Sequence, residues 1–297
     1  MDNLFGIEEP LICSPMNYIG GKYKLLPQLL PLFPENINIF VDLFCGGCNV
    51  GVNANANKVI FNDNLTYLKD LYRAFRSTDT DSVMAHIEKR IAEFNLSLEN
   101  VDGYNALRIL YNNDRQPLDL FVLVAYSFNH QIRFNSFHDF NMPFGRDRSS
   151  FNGRMRGNLV SFLNRLHSRD MEFRCGNFDV FNFQELTVGD YVYCDPPYLI
   201  TTGTYNDGKR GFTGWGEKEE RTLLDILTDL DQRGISFGLS NVMFHKGREN
   251  TLLTAWAEKN NYIVHHLNKD YNNSNYHTKN VEGAVTDEVF ITNFGNN

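Results

Sequence analysis

Four consecutive residues, Asp195, Pro196, Pro197 and Tyr198, carry the sharpest chemical signal in this sequence. The two prolines fix the backbone and supply no amide donors, so the Asp195 carboxylate and the Pro196 carbonyl can both accept hydrogen bonds from an amino group. The lone pair of an exocyclic amine is delocalised into its ring, and two acceptors would localise it on the nitrogen. Tyr198 offers a face on which an aromatic base can stack. This chemistry needs neither a metal nor a covalent nucleophile, although an ordinary proline-rich loop is the simpler alternative.

A glycine-rich turn, residues 44–51 (FCGGCNVG), follows a β-rich segment. Glycines in such a turn let the backbone approach a ligand and open a helix. Asp63 ends the next apolar segment, about 20 residues on, where an acidic side chain can bond two ribose hydroxyls. The pattern favours a bound nucleoside, but many nucleotide-binding folds share it, and a plain tight turn remains an alternative.

Arginine is concentrated in residues 131–169, although the whole chain has a formal net charge of −8. Seven arginines face two aspartates there (Asp139 and Asp147), a local balance of 7 − 2 = +5. Arginine makes forked contacts with phosphates and base edges, so an acidic protein can still bind nucleic acid through one basic face. The seven are Arg133, Arg146, Arg148, Arg154, Arg156, Arg165 and Arg169.

Composition excludes several other classes of protein. Hydrophobic residues make up 42% of 297, enough for a large core, and no apolar stretch reaches the ~20 residues of a membrane span. The first residues lack a basic start followed by an apolar run, so we expect no signal peptide. Five cysteines without a second metal-spaced pair beside Cys45 and Cys48 favour reduced thiols, a cytoplasmic protein and no metal site.

Hydrophobic patterning predicts alternating strands and helices, which is typical of a doubly wound α/β fold with a mostly parallel sheet. The predicted strands are residues 38–44, 58–62, 171–174, 190–194, 235–240, 262–267 and 288–294, the last as an edge or antiparallel strand. The predicted helices are residues 65–75, 81–94, 217–233 and 249–259.

One interval is too long for this alternation. About 130 residues separate the second strand from the strand before Asp195, whereas two β–α units need only about 60. We therefore predict an inserted, mainly helical domain at residues 76–167, with a catalytic domain formed by residues 1–75 and 168–297.

With these motifs in place, the sequence resembles the Dam-type (D12 class, α-group) adenine-N6 DNA methyltransferases. The resemblance extends over residues 17–290, in the order of that family. Cys48 departs from it, where many relatives have the last glycine of the turn, and Tyr18 stands where relatives often have tryptophan. The matching segments are residues 17–22 (NYIGGK), 42–47 (DLFCGG), 133–135 (RFN), 140–145 (FNMPFG), 195–198 (DPPY) and 286–289 (TDEV).

The resemblance implies the class I methyltransferase fold, S-adenosylmethionine as cofactor, and methylation of a flipped-out adenine in duplex DNA. Asp195 to Tyr198 would hold the target base, and we expect Phe212 to help enclose it. A restriction endonuclease acting separately is an implied partner, and a bacterial or phage origin is implied. The implied cofactor contacts are Tyr18, Lys22, Asp42, Phe44, Gly46, Asp63, Asn177, Phe178 and Asp195. The expected DNA contacts are Arg133, Asn135, Asn141, Arg146, Arg148, Arg154 and Arg156.

Three alternatives stay open from the sequence. Methyltransferases of ribosomal RNA or of protein glutamine use a similar Pro-Pro-Tyr motif for the same nitrogen chemistry. A DNA-binding regulator that keeps the fold is disfavoured by the intact residues 195–198, and a nicotinamide oxidoreductase would leave that motif unexplained. The polar residues 272–277 could form a DNA-side loop or an ordinary exposed loop, and the recognition sequence is not predicted.

Overall fold

A single mixed sheet organises the part of the chain that the computed structural model describes, residues 10–18, 20–201, 214–268 and 286–295. Within those ranges it has eight strands and eight α-helices, together with short 3-10 helices. The strands are β1 (Ile37–Asp42), β2 (Ala56–Asp63), β3 (Asp170–Cys175), β4 (Tyr191–Cys194), β5 (Ser236–His245), β6 (Arg248–Glu249), β7 (Ile263–Leu267) and β8 (Thr286–Thr292). The helices are α1 (Leu26–Leu29), α2 (Thr66–Ser77), α3 (Thr80–Glu93), α4 (Val101–Asp114), α5 (Pro117–Tyr126), α6 (Gly153–Ser168), α7 (Glu217–Gln232) and α8 (Thr251–Asn260).

The strand order is β3-β2-β1-β4-β5-β8-β7, with β6 paired to β5. Strands β3, β2, β1, β4 and β5 are parallel, whereas β8 runs antiparallel to both β5 and β7. The predicted mostly parallel sheet is confirmed. The last strand is antiparallel as expected, but it lies inside the sheet, and β7 takes the edge.

Both faces of the central strands are buried, because neighbouring residues alternate between two hydrophobic clusters. In β1, Phe40 belongs to one cluster and Val41 to the other; in β2, Phe61 and Ile60 divide in the same way. Helices α2, α5 and α6 supply the first cluster, and α7 and α8 the second. Burial on both faces explains why these strands appear in the sequence as continuous apolar runs.

The interval predicted to be an inserted domain contains α3 to α6. Helix α5 is buried along its whole length from Leu118 to Tyr126, with Asp119 among the buried residues. Its side chains and those of α4 belong to the same hydrophobic cluster as one face of the sheet, and α6 leads directly into β3. The helical content agrees with the prediction, while the division into two domains stays a prediction.

None of the helices in the described ranges has both the length and the apolar character needed to cross a bilayer.

Candidate active site

A cavity of about 280 Å³ opens at the carboxyl ends of β1, β2 and β4. The chain order reverses here, because β2 lies on one side of β1 and β4 on the other, and open α/β sheets bind ligands at such a switch point. The cavity brings together every residue that the sequence assigned to cofactor or catalysis. They are Tyr18, Lys22, Asp42, Phe44, Gly46, Asp63, Asn177, Phe178, Asp195, Pro196, Pro197 and Tyr198.

Asp195 follows β4 directly, and both of its carboxylate oxygens are engaged. Lys22 Nζ donates to Oδ2 at 2.7 Å, and the Tyr198 hydroxyl donates to Oδ1 at 2.9 Å. A carboxylate has about four lone-pair positions, so Asp195 can accept a further hydrogen bond from an amino group. Within the described ranges, no donor reaches the carbonyl of Pro196, which leaves the second predicted acceptor available.

A second carboxylate, Glu288 on β8, completes this network. Its Oε1 lies 3.7 Å from Lys22 Nζ and accepts from the Tyr198 hydroxyl at 3.4 Å. The Lys22 and Glu288 side chains are each 3% exposed, and Lys22 Nζ also lies 5.2 Å from the centre of the Tyr198 ring. Sequence reasoning assigned Glu288 no role. Its signal was a glutamate inside an apolar strand, a position where charged side chains need a partner.

The pKa values of two aspartates rise in this cavity. Burial raises the pKa of Asp195, and the nearby Glu288 adds to the rise, while Lys22 and Tyr198 oppose it. Burial also raises the pKa of Asp42 to about 7, although the Gly51 amide that donates to it at 3.0 Å acts in the opposite direction. Asp42 therefore changes charge near neutral pH.

The glycine-rich turn is shaped by close backbone contacts. Asp63 accepts from the amides of Gly46 at 3.0 Å and Leu65 at 2.9 Å, which fixes its carboxylate beside the turn. Gly46 has φ +44°, and a Cβ there would lie 2.8 Å from the Tyr18 ring. Cys48, the departure from the family pattern, has φ +61°, so the turn keeps the left-handed backbone that glycine would favour.

The sequence suggested that the glycine-rich turn opens a helix, but no α-helix directly follows this turn. Only a three-residue 3-10 helix, Gly51–Asn53, follows it. A dinucleotide pyrophosphate binds at the N-terminus of a full helix, and this site offers none after β1. The nicotinamide alternative therefore loses its structural support.

Three aromatic rings form one side of the cavity. Phe44 and Phe178 have ring centroids 5.4 Å apart, and Trp215 lies 5.7 Å from the first and 5.3 Å from the second. Sequence reasoning identified Phe44 and Phe178 but missed Trp215, which comes just before α7. An isolated tryptophan between two glycines was the only signal in the sequence.

The charge of the lining suits a cationic nucleoside. Five acidic residues, Asp42, Asp63, Asp179, Asp195 and Glu219, line the cavity with two lysines, Lys22 and Lys218, a formal balance of 2 − 5 = −3. S-adenosylmethionine combines an adenosine with a positively charged sulfonium, so the residues present fit this group. No three His, Cys, Asp or Glu side chains are grouped for metal binding anywhere in the described residues.

Three of the predicted DNA contacts stabilise a loop between α5 and α6. Arg133 donates to the Asn141 side chain at 2.9 Å and to its carbonyl at 2.7 Å. The Asn135 side chain accepts from the amides of Phe137 and Asp139. These contacts hold the loop together, and the predicted DNA role of these residues stays a prediction.

The four remaining arginines are exposed. Arg156 pairs with Glu88 at 2.8 Å, and the Arg148 guanidinium lies 4.8 Å from the centre of the Phe128 ring. The side chains of Arg146 and Arg154 make no hydrogen bond or ion pair with another described residue. They are the arginines most available for an external phosphate.

Two further predictions fall elsewhere. Phe212 and residues 272–277 lie outside the described residues.

Comparison with known proteins identifies one family. The sequence pattern of D12 class N6 adenine-specific DNA methyltransferases matches residues 18–278. Type II methyltransferase M.FokI of Planomicrobium okeanokoites is 50% identical over 285 residues, which cover 96% of this chain and 43% of that protein. Modification methylase StsI of Streptococcus sanguinis is 50% identical over 283 residues, 95% of this chain and 43% of the relative. The DNA adenine methylase of Haemophilus influenzae is 27% identical over 237 residues, 76% of this chain and 78% of that protein. The chain thus spans less than half the length of the first two relatives.

Proposed function

The chain belongs to the D12 class of N6 adenine-specific DNA methyltransferases, and from this premise we propose that it transfers a methyl group from S-adenosylmethionine to N6 of an adenine flipped out of duplex DNA. The proposal covers the reaction, the cofactor and the substrate. It extends to a site-specific modification enzyme of a restriction–modification system, because the two relatives at 50% identity carry the names of such enzymes.

The observation that carries the proposal is the position of the Asp195 carboxylate, which Lys22 and Tyr198 hold at the carboxyl end of β4. Two hydrogen bonds from the adenine amino group, to the Asp195 carboxylate and to the Pro196 carbonyl, draw the nitrogen lone pair out of conjugation. Lys22 and Tyr198 fix the carboxylate before substrate arrives, so little reorganisation is needed during the reaction.

The other end of the cavity supports the cofactor assignment. S-adenosylmethionine supplies an electrophilic methyl group when it is bound. Asp63 is oriented by two backbone amides beside the glycine-rich turn, the position from which an acidic side chain accepts from ribose hydroxyls. The acidic lining favours the sulfonium, Phe44 lies toward the methionine end, and Phe178 offers a face to the adenine.

Flipping a base costs a few kcal/mol of unstacking. In this proposal, stacking on Tyr198 and the two hydrogen bonds to N6 offset that cost. The exposed Arg146, Arg148, Arg154 and Arg156 contribute phosphate contacts that hold the duplex. A cognate endonuclease acting as a separate protein and a cytoplasmic location complete the proposal.

The test is transfer of a tritiated methyl group from S-adenosylmethionine to unmethylated genomic DNA, followed by long-read mapping of modified positions. We expect N6-methyladenine within one short sequence motif. Label that appears in ribosomal RNA or in protein, with none in DNA, would overturn the substrate while leaving the nitrogen chemistry intact. Absence of label from all three would overturn the activity.

A further inference from the structure

Another carboxylate, Glu220, is completely buried in the first turn of α7 and does not line the cavity. Its Oε2 accepts from the indole Nε1 of Trp215 at 2.6 Å. Its Oε1 accepts from the side-chain amides of Asn241 at 3.0 Å and Asn250 at 3.1 Å. No described residue forms an ion pair with Glu220. A buried carboxylate served only by neutral donors is costly, which points to a specific task.

The directions of these hydrogen bonds are fixed. The Asn241 side-chain oxygen accepts from the Val242 amide at 2.8 Å, and the Asn250 oxygen accepts from the Leu253 amide at 3.2 Å. Both asparagines must therefore present their NH₂ groups to Glu220. Their two donors occupy one carboxylate oxygen, and the other oxygen is left for the indole. The two asparagine amides and the indole all donate to residue 220. The side chain there must therefore accept hydrogen bonds at both of its terminal atoms, which only a carboxylate can do.

Trp215 connects this buried network to the cavity. Trp215 is 8% exposed, and it lines the cavity beside Phe44 and Phe178. The neighbours of Trp215 in the chain are Gly214 and Gly216, which supply no side chains to hold it. The hydrogen bond to Glu220 is thus the polar contact that fixes the direction of the indole ring.

We propose that Glu220 is a positioning residue that holds Trp215 as a wall of the cofactor's adenine subsite, so that affinity for the cofactor depends on a carboxylate that does not touch it. This inference rests on the proposed function, because it takes an adenosyl cofactor as the occupant of the cavity. Stacking of a base on an aromatic side chain is strong enough to matter for affinity. A ring held in one direction loses less entropy when the ligand arrives.

The test uses the full chain and S-adenosylhomocysteine, which binds without methyl transfer. The chain has two tryptophans and 14 tyrosines, so Trp256→Phe gives a parent in which Trp215 is the only tryptophan and can be excited selectively at wavelengths that tyrosine does not absorb. Trp256 also serves as the matched control, because its indole donates to Thr228 at 3.0 Å and does not line the cavity. Calorimetry gives the Kd of each variant, and fluorescence reports the surroundings of Trp215.

Glu220→Gln is the informative substitution. Its amide oxygen can serve Asn241 and Asn250, but its NH₂ then faces the indole N–H, donor against donor. We expect the Kd for S-adenosylhomocysteine to rise about tenfold, the effect of losing one base–aromatic stack, and the emission of Trp215 to shift to longer wavelength. Thr228→Val in the chain that keeps Trp256 removes the partner of the other indole and is expected to leave the Kd unchanged.

A double substitution separates positioning from a general structural effect. In Trp215→Phe there is no indole N–H to oppose, so adding Glu220→Gln is expected to change the Kd less than twofold. An equal loss in both backgrounds, or an unchanged Kd in Glu220→Gln, would overturn the inference. Should Glu220→Gln fail to fold, Trp215→Phe alone tests the bond from its other end, and a Kd equal to that of the parent would reject it.

Binding of S-adenosylhomocysteine by the parent separates failure of the role of Glu220 from failure of the proposed cofactor. A parent that binds S-adenosylhomocysteine, with variants that bind it equally well, rejects only the role of Glu220. A parent that does not bind it rejects the proposed cofactor, and with it the inference.

Discussion

Replacing Asp195 by asparagine tests the acceptor chemistry with almost no change of shape. Lys22 Nζ lies 2.7 Å from Asp195 Oδ2, and an ammonium is only a donor, so the asparagine oxygen must turn toward Lys22. The asparagine NH₂ then points toward Tyr198, whose hydroxyl can accept from it and donate to Glu288 instead. The site keeps its hydrogen bonds, but the adenine amino group meets a donor where it needs an acceptor.

The expected loss follows from that geometry. A catalytic hydrogen bond in a preorganised site is worth about 3–4 kcal/mol in the transition state, and each 1.36 kcal/mol is a factor of ten in rate. We therefore expect the single-turnover rate of methyl transfer to fall about 100- to 1,000-fold. The Kd for S-adenosylhomocysteine should change less than threefold, because the ribose and adenine contacts remain.

Rapid-quench measurement of tritiated methyl transfer, with enzyme in excess over duplex DNA, isolates the chemical step. Asp225→Asn, an equal charge change on the exposed face of α7, controls for net charge and should match the parent. A rate for Asp195→Asn within tenfold of the parent would refute the acceptor role of this carboxylate. Asp195→Ala is expected to abolish transfer while cofactor binding persists.

Three further perturbations follow from the structure. Because the pKa of Asp42 is raised to about 7, this group gains its negative charge as the pH rises through 7. The Kd for the cationic cofactor, measured by calorimetry, should therefore fall about tenfold from pH 6 to pH 8. In Asp42→Asn the Kd should not change over this pH range. Arg146→Ala with Arg154→Ala should reduce the slope of log K against log salt for DNA binding by about 1.8; fluorescence anisotropy would exclude this face if the slope were unchanged. Asp119→Ala removes a fully buried acceptor of Arg90 at 2.8 Å and should lower the unfolding free energy by about 3 kcal/mol at pH 7. Burial tends to raise the pKa of Asp119, but its hydrogen bonds to His86 and Arg90 lower it overall. The stabilisation from the ionised Asp119 is therefore present above pH 4 and is lost as the pH falls through the lowered pKa. If urea unfolding gave the same difference in unfolding free energy between the parent and Asp119→Ala at pH 3 and at pH 7, this explanation would be contradicted.

Seven of the eight strands and four of the eight α-helices in the described residues were predicted from the sequence, because their signals are local. Helix α7 shows apolar residues at helical spacing and stops before Gly234, and the sequence placed it within one residue of its observed end. The strand before Asp195 was equally clear from its apolar run. The strand order was less accessible, since β8 pairs with β5 and β7 through hydrogen bonds that leave no periodic mark in the sequence.

The candidate site divides in the same way. Residues 195–198 and 44–51 were recognisable because their chemistry depends on immediate neighbours in the chain. Trp215, Glu220 and Glu288 were missed, because each acquires its role from a partner on another element: Trp215 from the rings beyond β1 and β3, Glu220 from β5, and Glu288 from Lys22.

The order of amino acids alone specifies the residue types that can perform amino-group chemistry, the turn that follows β1, and the alternation of strands and helices. The tertiary structure alone decided that Lys22 meets Asp195, 173 positions away, and that a buried glutamate orients the tryptophan beside the cavity. The physical reason is the distance along the chain over which each interaction acts. Turn geometry and hydrophobic periodicity act over a few residues, whereas the charge and direction of a buried side chain depend on which strands lie side by side, and that is settled only when the whole sheet has formed.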